Sequence, residues 1–99
     1  MNENKKINKK ILLKNIDKIH TTEMGVDRIK KNLKLENINI VEYCKNKILD
    51  KNCNIFKKCK NWYCEVGNII ITINYSSYMT ITAHRLKNDN LHLRHYERQ

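Results

Sequence analysis

The chain contains no proline and only two glycines, one tryptophan and one phenylalanine among its 99 residues. Without proline, the turns have to be made mainly by Asn, Asp, Ser and Thr. No run of about eighteen apolar residues is present, so no transmembrane helix is expected. The N-terminal segment has cations but neither a long apolar region nor a small-residue cleavage site, which argues against a secretory signal. We therefore expect one cytoplasmic domain over residues 1–99, with its core at about 6–87.

Cysteine pairs of the kind that bind zinc are also missing. No two of the four cysteines form a Cys-x-x-Cys pair, whereas zinc sites usually need two closely spaced pairs. The sequence therefore predicts no metal and no cofactor. The alternative is a zinc site formed by Cys53, Cys59 and Cys64 together with a histidine. Free thiols in a reducing compartment are expected, with Cys44 on an apolar helix face and Cys64 in a strand.

Acidic residues are few compared with basic ones, and the formal net charge is +10. Residues 1–50 carry twelve cations against seven acids, and residues 51–99 carry eight against three, so both halves are basic. A basic surface favours polyanionic partners, namely RNA, DNA or an acidic protein. Lys, Asn and Ile are all over-used, however, which is typical of an AT-rich coding sequence and accounts for part of the lysine excess.

The first half of the chain has helical periodicity. Apolar residues recur at steps of three and four. A threonine before Glu23 is a competent N-cap for the second helix. The predicted helices span Lys6–Ile19, Glu23–Leu33 and about Ile38–Leu49.

From Cys53 onward the apolar residues alternate with a period of two, which is typical of strands. Gly67-Asn68 predicts a tight hairpin turn, because both residues tolerate positive φ. An odd number of residues in the last loop would pair Ile73 with Ile81 or Met79, and would keep Thr72 opposite the threonines. The predicted strands lie around Ile55–Phe56 and over Trp62–Val66, Ile69–Tyr75 and Tyr78–His84. Residues 88–99 are expected to form an edge strand or a tail.

This order predicts an α+β fold in which three N-terminal helices pack on one face of a four-stranded antiparallel sheet. The other sheet face would be polar and open. Its predicted residues are Thr72, Asn74, Tyr78, Thr80, Thr82 and His84.

Such a face has the components of metal-independent RNA cleavage. His84 could act as base or acid because its ordinary pKa is near 6.5, and Lys60 or Arg85 could hold the phosphate. The predicted catalytic set is His84, Thr82, Lys60 and Tyr78. The predicted nucleic-acid contacts are Lys57, Lys58, Arg85, Thr80, Asn74 and Trp62. Each residue also has a structural interpretation: threonines are ordinary strand residues, and Trp62 is either a core aromatic or a stacking platform.

Three segments contain distinctive sequence motifs, namely His-Thr-Thr in Ile16–Leu33, Lys-Asn-Trp in Lys60–Asn74 and Ser-Tyr-x-Thr-Ile-Thr-Ala-His in Ser77–Arg85. With them the chain resembles, over roughly Leu12–Lys87, a family of small uncharacterised domains of low-GC Gram-positive bacteria and their mobile elements. This resemblance implies a fold but no activity. In the order of its elements the chain is also remotely similar to ribonuclease toxins such as barnase, colicin D and RelE, which is an analogy at the level of the fold.

The sequence thus predicts a small basic protein that binds RNA or another polyanion, and in its sharper form a toxin-type endoribonuclease. The main alternative is a non-enzymatic inhibitor from a phage or mobile element, similar to anti-CRISPR proteins, that binds a nucleoprotein complex or its acidic surface. A third interpretation is a homodimer that pairs through an exposed edge strand.

Overall fold

The computed structural model describes residues 9–86, which form an α+β fold of three α-helices, a short 3-10 helix and a four-stranded antiparallel sheet. Residues 9–14 are helical (α1) and lead into a 3-10 helix at Ile16–Lys18. Two α-helices, Glu23–Leu33 (α2) and Ile40–Leu49 (α3), follow. The sequence-based expectations for residues 6–8 and 88–99 lie outside the described residues.

Side-chain caps determine where the two longer helices begin. The Thr22 hydroxyl accepts a hydrogen bond from the Gly25 amide at 3.0 Å, so α2 begins at Glu23 as expected. The Asn39 side chain accepts from the Glu42 amide at 3.0 Å, so α3 begins two residues later than predicted. The α-helical part of the first predicted helix ends early, because the Asn15 side chain donates to the Ile11 carbonyl at 2.8 Å and the Asn15 amide also donates to the Leu12 carbonyl at 3.0 Å, which tightens the chain into the 3-10 helix.

The sheet has the strand order β1-β2-β3-β4, and every neighbouring pair is antiparallel. Gly67 has φ 60° in the turn between β2 and β3, which confirms the predicted hairpin. The strands are Asn54–Lys58 (β1), Asn61–Val66 (β2), Ile69–Asn74 (β3) and Thr80–Arg85 (β4).

One hydrophobic cluster joins the helices to the sheet. α2 packs on β4 and α3, and α3 also packs on β2. Trp62, Cys64, Ile71 and Ile73 supply the centre of the cluster from the strands. The helices contribute Leu12, Ile29, Leu33, Ile40, Cys44 and Ile48.

The register of the last hairpin differs from the prediction at one point. Thr72 lies opposite Thr82, as expected, but the register then shifts and Ile73 lies opposite Thr80. Ile81 is therefore the extra residue of a β-bulge, and the predicted pairing of Ile73 with Ile81 or Met79 is wrong. The bulge reverses the side of the sheet on which Thr80 lies, so that Thr80 is 3% exposed and faces the core.

The outer edge of β4 is tied to the chain that precedes α2. His20 forms a parallel bridge with Met79, in which the His20 amide donates to the Tyr78 carbonyl and the Thr80 amide donates to the His20 carbonyl at 2.7 Å. The Thr21 hydroxyl donates to the Thr80 carbonyl at 2.9 Å. Among the described residues, no helix has the length and apolar character needed to cross a lipid bilayer.

Candidate nucleic-acid interface

The polar residues that were predicted to share one face of β4 lie in different environments. His84 lies opposite Ile70 and is exposed, and Thr82 lies opposite Thr72. Thr80 faces the core, and Tyr78 precedes the strand with φ 63°. The expectation that Tyr78, Thr80, Thr82 and His84 share one open face is therefore wrong, and the physical reason is the bulge at Ile81.

The four predicted catalytic residues are not brought together. Lys60 lies in the turn between β1 and β2, next to the paired residues Lys58 and Asn61. His84 lies at the opposite end of the sheet, because it pairs with Ile70, which in turn pairs with Glu65 near the other end of β2. Four residues of strand separate these two levels, which is about 13 Å at 3.3 Å per residue. Lys60 and His84 therefore cannot contact the same phosphate oxygen.

Two of the predicted nucleic-acid contacts make structural hydrogen bonds. Arg85 donates from Nη2 to the Leu33 carbonyl at 3.0 Å, at the end of α2. Asn74 accepts from the amides of Ser76 and Ser77 at 3.1 and 2.9 Å and so stabilises the turn before β4. Lys58 is exposed.

Trp62 is fully buried and forms the base of an aromatic cluster. Its ring centroid lies 4.6 Å from that of Tyr75 and 5.1 Å from that of Tyr78. Both tyrosines are half-buried. Within residues 9–86 the indole Nε1 has no hydrogen-bond partner. Trp62 is thus a core aromatic, and the two tyrosines are the rings that reach the surface.

A lysine lies over each of these tyrosines. Lys57 Nζ is 4.6 Å from the centroid of Tyr75 and donates to the Cys59 carbonyl at 2.9 Å. Lys18 Nζ is 5.6 Å from the centroid of Tyr78. Both distances are in the range of cation–π interactions.

Lys60 belongs to the same region, because its carbonyl accepts from the Tyr75 amide at 2.8 Å. We refer to Lys18, Lys57, Lys60, Tyr75 and Tyr78 as the tyrosine–lysine cluster. It joins residues from the 3-10 helix, the first hairpin and the loop before β4.

His20 is an exposed histidine that the sequence analysis did not include among the candidate site residues. Its Nδ1 lies 2.9 Å from the Lys18 carbonyl, and its backbone pairs with the residues that flank Met79. When Nδ1 donates that hydrogen bond, the other ring nitrogen, Nε2, keeps its lone pair for a proton. The only feature of the sequence that pointed to His20 was the His-Thr-Thr motif, because no neighbouring residue indicates that His20 pairs with β4.

The thiols have different environments. Cys44, Cys53 and Cys64 are buried, and Cys59 is exposed. Burial raises the pKa of Cys44 to about 11. A hydrogen bond between the Cys53 and Cys64 thiols lowers the pKa of Cys53 and raises that of Cys64. Across the described part of the chain, no group of three or more His, Cys, Asp and Glu side chains is arranged to hold a metal ion.

Comparison with known proteins adds one match. The model of a family described as a protein of unknown function (DUF3781) matches residues 13–84, which include the 3-10 helix, α2, α3 and nearly all of the sheet. No curated protein and no solved structure matches the chain.

Proposed function

The chain belongs to the DUF3781 family of unknown function, and we propose that it binds single-stranded RNA through the tyrosine–lysine cluster. The observation that carries the proposal is the pair of half-buried tyrosines, fixed on a buried tryptophan and each covered by a lysine. Proteins that bind single strands combine aromatic rings, on which bases stack, with cations that follow the phosphates.

The packing of both tyrosines on Trp62 favours a binding role for their rings. Because Tyr75 and Tyr78 pack on Trp62, their rings lose little further freedom when a base stacks on them. Lys18 and Lys57 can leave the ring faces and contact phosphates with little loss, because exposed cation–π contacts are worth only about 0.5–1 kcal/mol.

The charge balance supports a polyanionic ligand. Between residues 9 and 86 only one salt bridge is present, Lys45 with Glu42 at 3.7 Å. The lysines of the tyrosine–lysine cluster are therefore not neutralised by carboxylates in the described structure. We place this activity in the cytoplasm, where the thiols would stay reduced.

The test compares two double variants with the same change in net charge. In Lys18→Ala/Lys57→Ala both cluster lysines are removed, and in Lys31→Ala/Lys51→Ala two exposed lysines elsewhere are removed. Fluorescence anisotropy with a labelled single-stranded RNA should show about a tenfold loss of affinity for the first variant, because both cations over the rings are lost. The second should change affinity less than about threefold.

Equal losses in the two variants would overturn the proposal, because they would indicate a diffuse charge effect. Binding to a protein or nucleoprotein complex, with no affinity for free RNA, would instead support an inhibitor of the anti-CRISPR kind. Tighter binding to DNA of the same sequence would overturn the choice of RNA.

A metal-independent endoribonuclease of toxin type is a second candidate, favoured by the exposed His20 imidazole beside the cluster. In that architecture the three helices would pack on one face of the sheet, and the half-buried Thr82 and the exposed His84 would lie on the other, while Thr72, also predicted there, is buried. Wild-type protein should then cleave RNA. His20→Ala should abolish this cleavage, whereas His84→Ala should leave the rate of cleavage unchanged. Intact RNA after prolonged incubation would exclude this candidate.

A further inference from the structure

A cleft of about 230 Å³ lies between the first turn of α2 and the start of β4. Its walls are formed by the two methionines of the described chain and by the bulge residue, together with a glycine, threonines and one arginine. The lining residues are Thr21, Thr22, Met24, Gly25, Arg28, Met79, Thr80 and Ile81.

Arg28 is the only charged residue that lines this cleft. Among the described residues it has neither a salt bridge nor a hydrogen-bond partner, and Glu23 and Asp27, which precede it on α2, do not line the cleft. A guanidinium without a partner, at the wall of a cavity that has no carboxylate, favours an anionic group, and phosphate fits its planar arrangement of donors.

The remaining walls suit a flat apolar group. Met24 is 73% exposed, and Met79 and Ile81 are half-buried. Thioether side chains adapt their shape to a ring and make favourable contacts with aromatic groups. The Thr22 hydroxyl accepts from the Gly25 amide, which leaves its own hydrogen to donate to a polar edge of a ligand.

The cleft and the tyrosine–lysine cluster are linked through adjacent residues of the chain. Met79 follows Tyr78 in the chain and forms the parallel bridge with His20, and Lys18 lies over the Tyr78 ring. This adjacency favours a path by which an RNA strand that stacks on Tyr78 continues toward the cleft.

We propose that the cleft is a subsite for one nucleotide of the bound RNA, with its base against Met24, Met79 and Ile81 and its phosphate on Arg28. This inference rests on the proposed function. The volume agrees with a single base, because sites for drug-sized ligands are larger, at about 300–1,000 Å³.

Methionine labelling gives a direct test, because the chain has only three methionines and two of them line the cleft. Protein with ¹³C-labelled methionine methyl groups is titrated with a six-nucleotide oligouridylate, and Met24→Leu assigns the signals. The Met24 and Met79 signals should shift with one saturation curve. If the RNA binds and neither signal moves, the subsite does not exist.

A matched pair of variants on α2 tests the phosphate contact. Arg28→Gln and Lys31→Gln each remove one positive charge from an exposed position. Arg28→Gln should weaken binding of the same oligonucleotide about tenfold, whereas Lys31→Gln should change it less than about twofold. Equal effects would overturn the subsite.

The two proposals fail in different ways. If the wild-type protein does not bind the oligonucleotide, the proposed function fails. If binding is lost in Lys18→Ala/Lys57→Ala but is unaffected by Arg28→Gln, only the subsite fails. Circular dichroism and thermal unfolding of each variant show that the fold is retained.

Discussion

At the scale of single residues, the buried thiols of the described chain are groups whose pKa values are shifted by burial and hydrogen bonding. Cys44 is 1% exposed on α3, and its neighbours in the core are apolar side chains and other cysteines. A thiolate there would lose its hydration without gaining a counter-ion, so the folded state favours the neutral thiol. The sequence predicted the inward position of Cys44 from the apolar stripe of its helix.

This burial predicts a loss of stability at alkaline pH. The pKa of Cys44 is raised by burial from an ordinary value of 9.0 to about 11 in the folded protein. Its stabilising contribution is complete below pH 9 and is lost as the pH rises through 11, with a total of about 2–3 kcal/mol.

The measurement is urea unfolding at a series of pH values from about 8 to about 11, which spans both pKa values. Cys44→Ala should be less stable than wild type at pH 8 because it leaves a small cavity. Its stability should then fall less steeply as the pH rises, since lysine and tyrosine titration is common to both proteins. Parallel curves for the two proteins would contradict the prediction.

At the scale of elements, the junction between α2 and β4 depends on a glycine. A Cβ at Gly25 would overlap the Thr21 hydroxyl oxygen, which is held in place by its hydrogen bond to the Thr80 carbonyl. Asn32 adds a second link, because its Nδ2 donates to the Ala83 carbonyl at 3.2 Å. The helix therefore covers the outer edge of β4, which reduces the risk of edge-to-edge pairing.

We expect Gly25→Ala to destabilise the protein by about 1–3 kcal/mol, because the added methyl group forces the Thr21 hydroxyl or the helix to move. In a Thr21→Ala background the same change should cost less or even stabilise, since alanine is favoured over glycine inside a helix by about 1 kcal/mol. Chemical denaturation of the four proteins in this cycle measures the coupling. An equal cost in both backgrounds would contradict the proposed overlap.

Sequence periodicity was sufficient to predict the element order, the start of α2 and the turn at Gly67, because these features depend on residues close together in the chain. It could not predict the bulge at Ile81, because the bulge depends on how β4 meets β3 on one side and His20 on the other. One extra residue was enough to move Thr80 to the core side. The predicted open face was wrong at Thr80 for that reason, and at Tyr78 because this residue precedes β4 in a left-handed conformation and packs on Trp62.

At the scale of the whole molecule, the candidate interface is assembled from distant parts of the sequence. Lys18, Lys57 and Tyr78 come from a 3-10 helix, a strand and a loop, and they meet around Trp62. The sequence identified Lys57, Lys60 and Tyr78 as candidates from residue type. It could not show that Tyr78, in a left-handed conformation, packs on Trp62 rather than beside His84.

The charge of the molecule predicts a definite salt dependence. If Lys18, Lys57, Lys60 and Arg28 each neutralise one phosphate, the logarithm of the association constant should fall against the logarithm of salt concentration with a slope of about −3 for single-stranded RNA. Lys57→Ala should reduce the slope by about 0.7, whereas Lys51→Ala, with the same charge change, should leave it unaltered. Anisotropy titrations between about 50 and about 200 mM salt measure it, and identical slopes for both variants would count against local phosphate contacts.

The bridge between His20 and Met79 also affects how the polypeptide folds during synthesis. The ribosome has to add Thr80 before the carbonyl of His20 gains its donor, so α2 emerges well before its permanent neighbour exists. Until then a nascent chain leaves the apolar stripe of Ile29 and Leu33 without the strand it packs on. Folding must therefore wait until β4 has been synthesised, and the earlier segments depend on remaining soluble until β4 arrives.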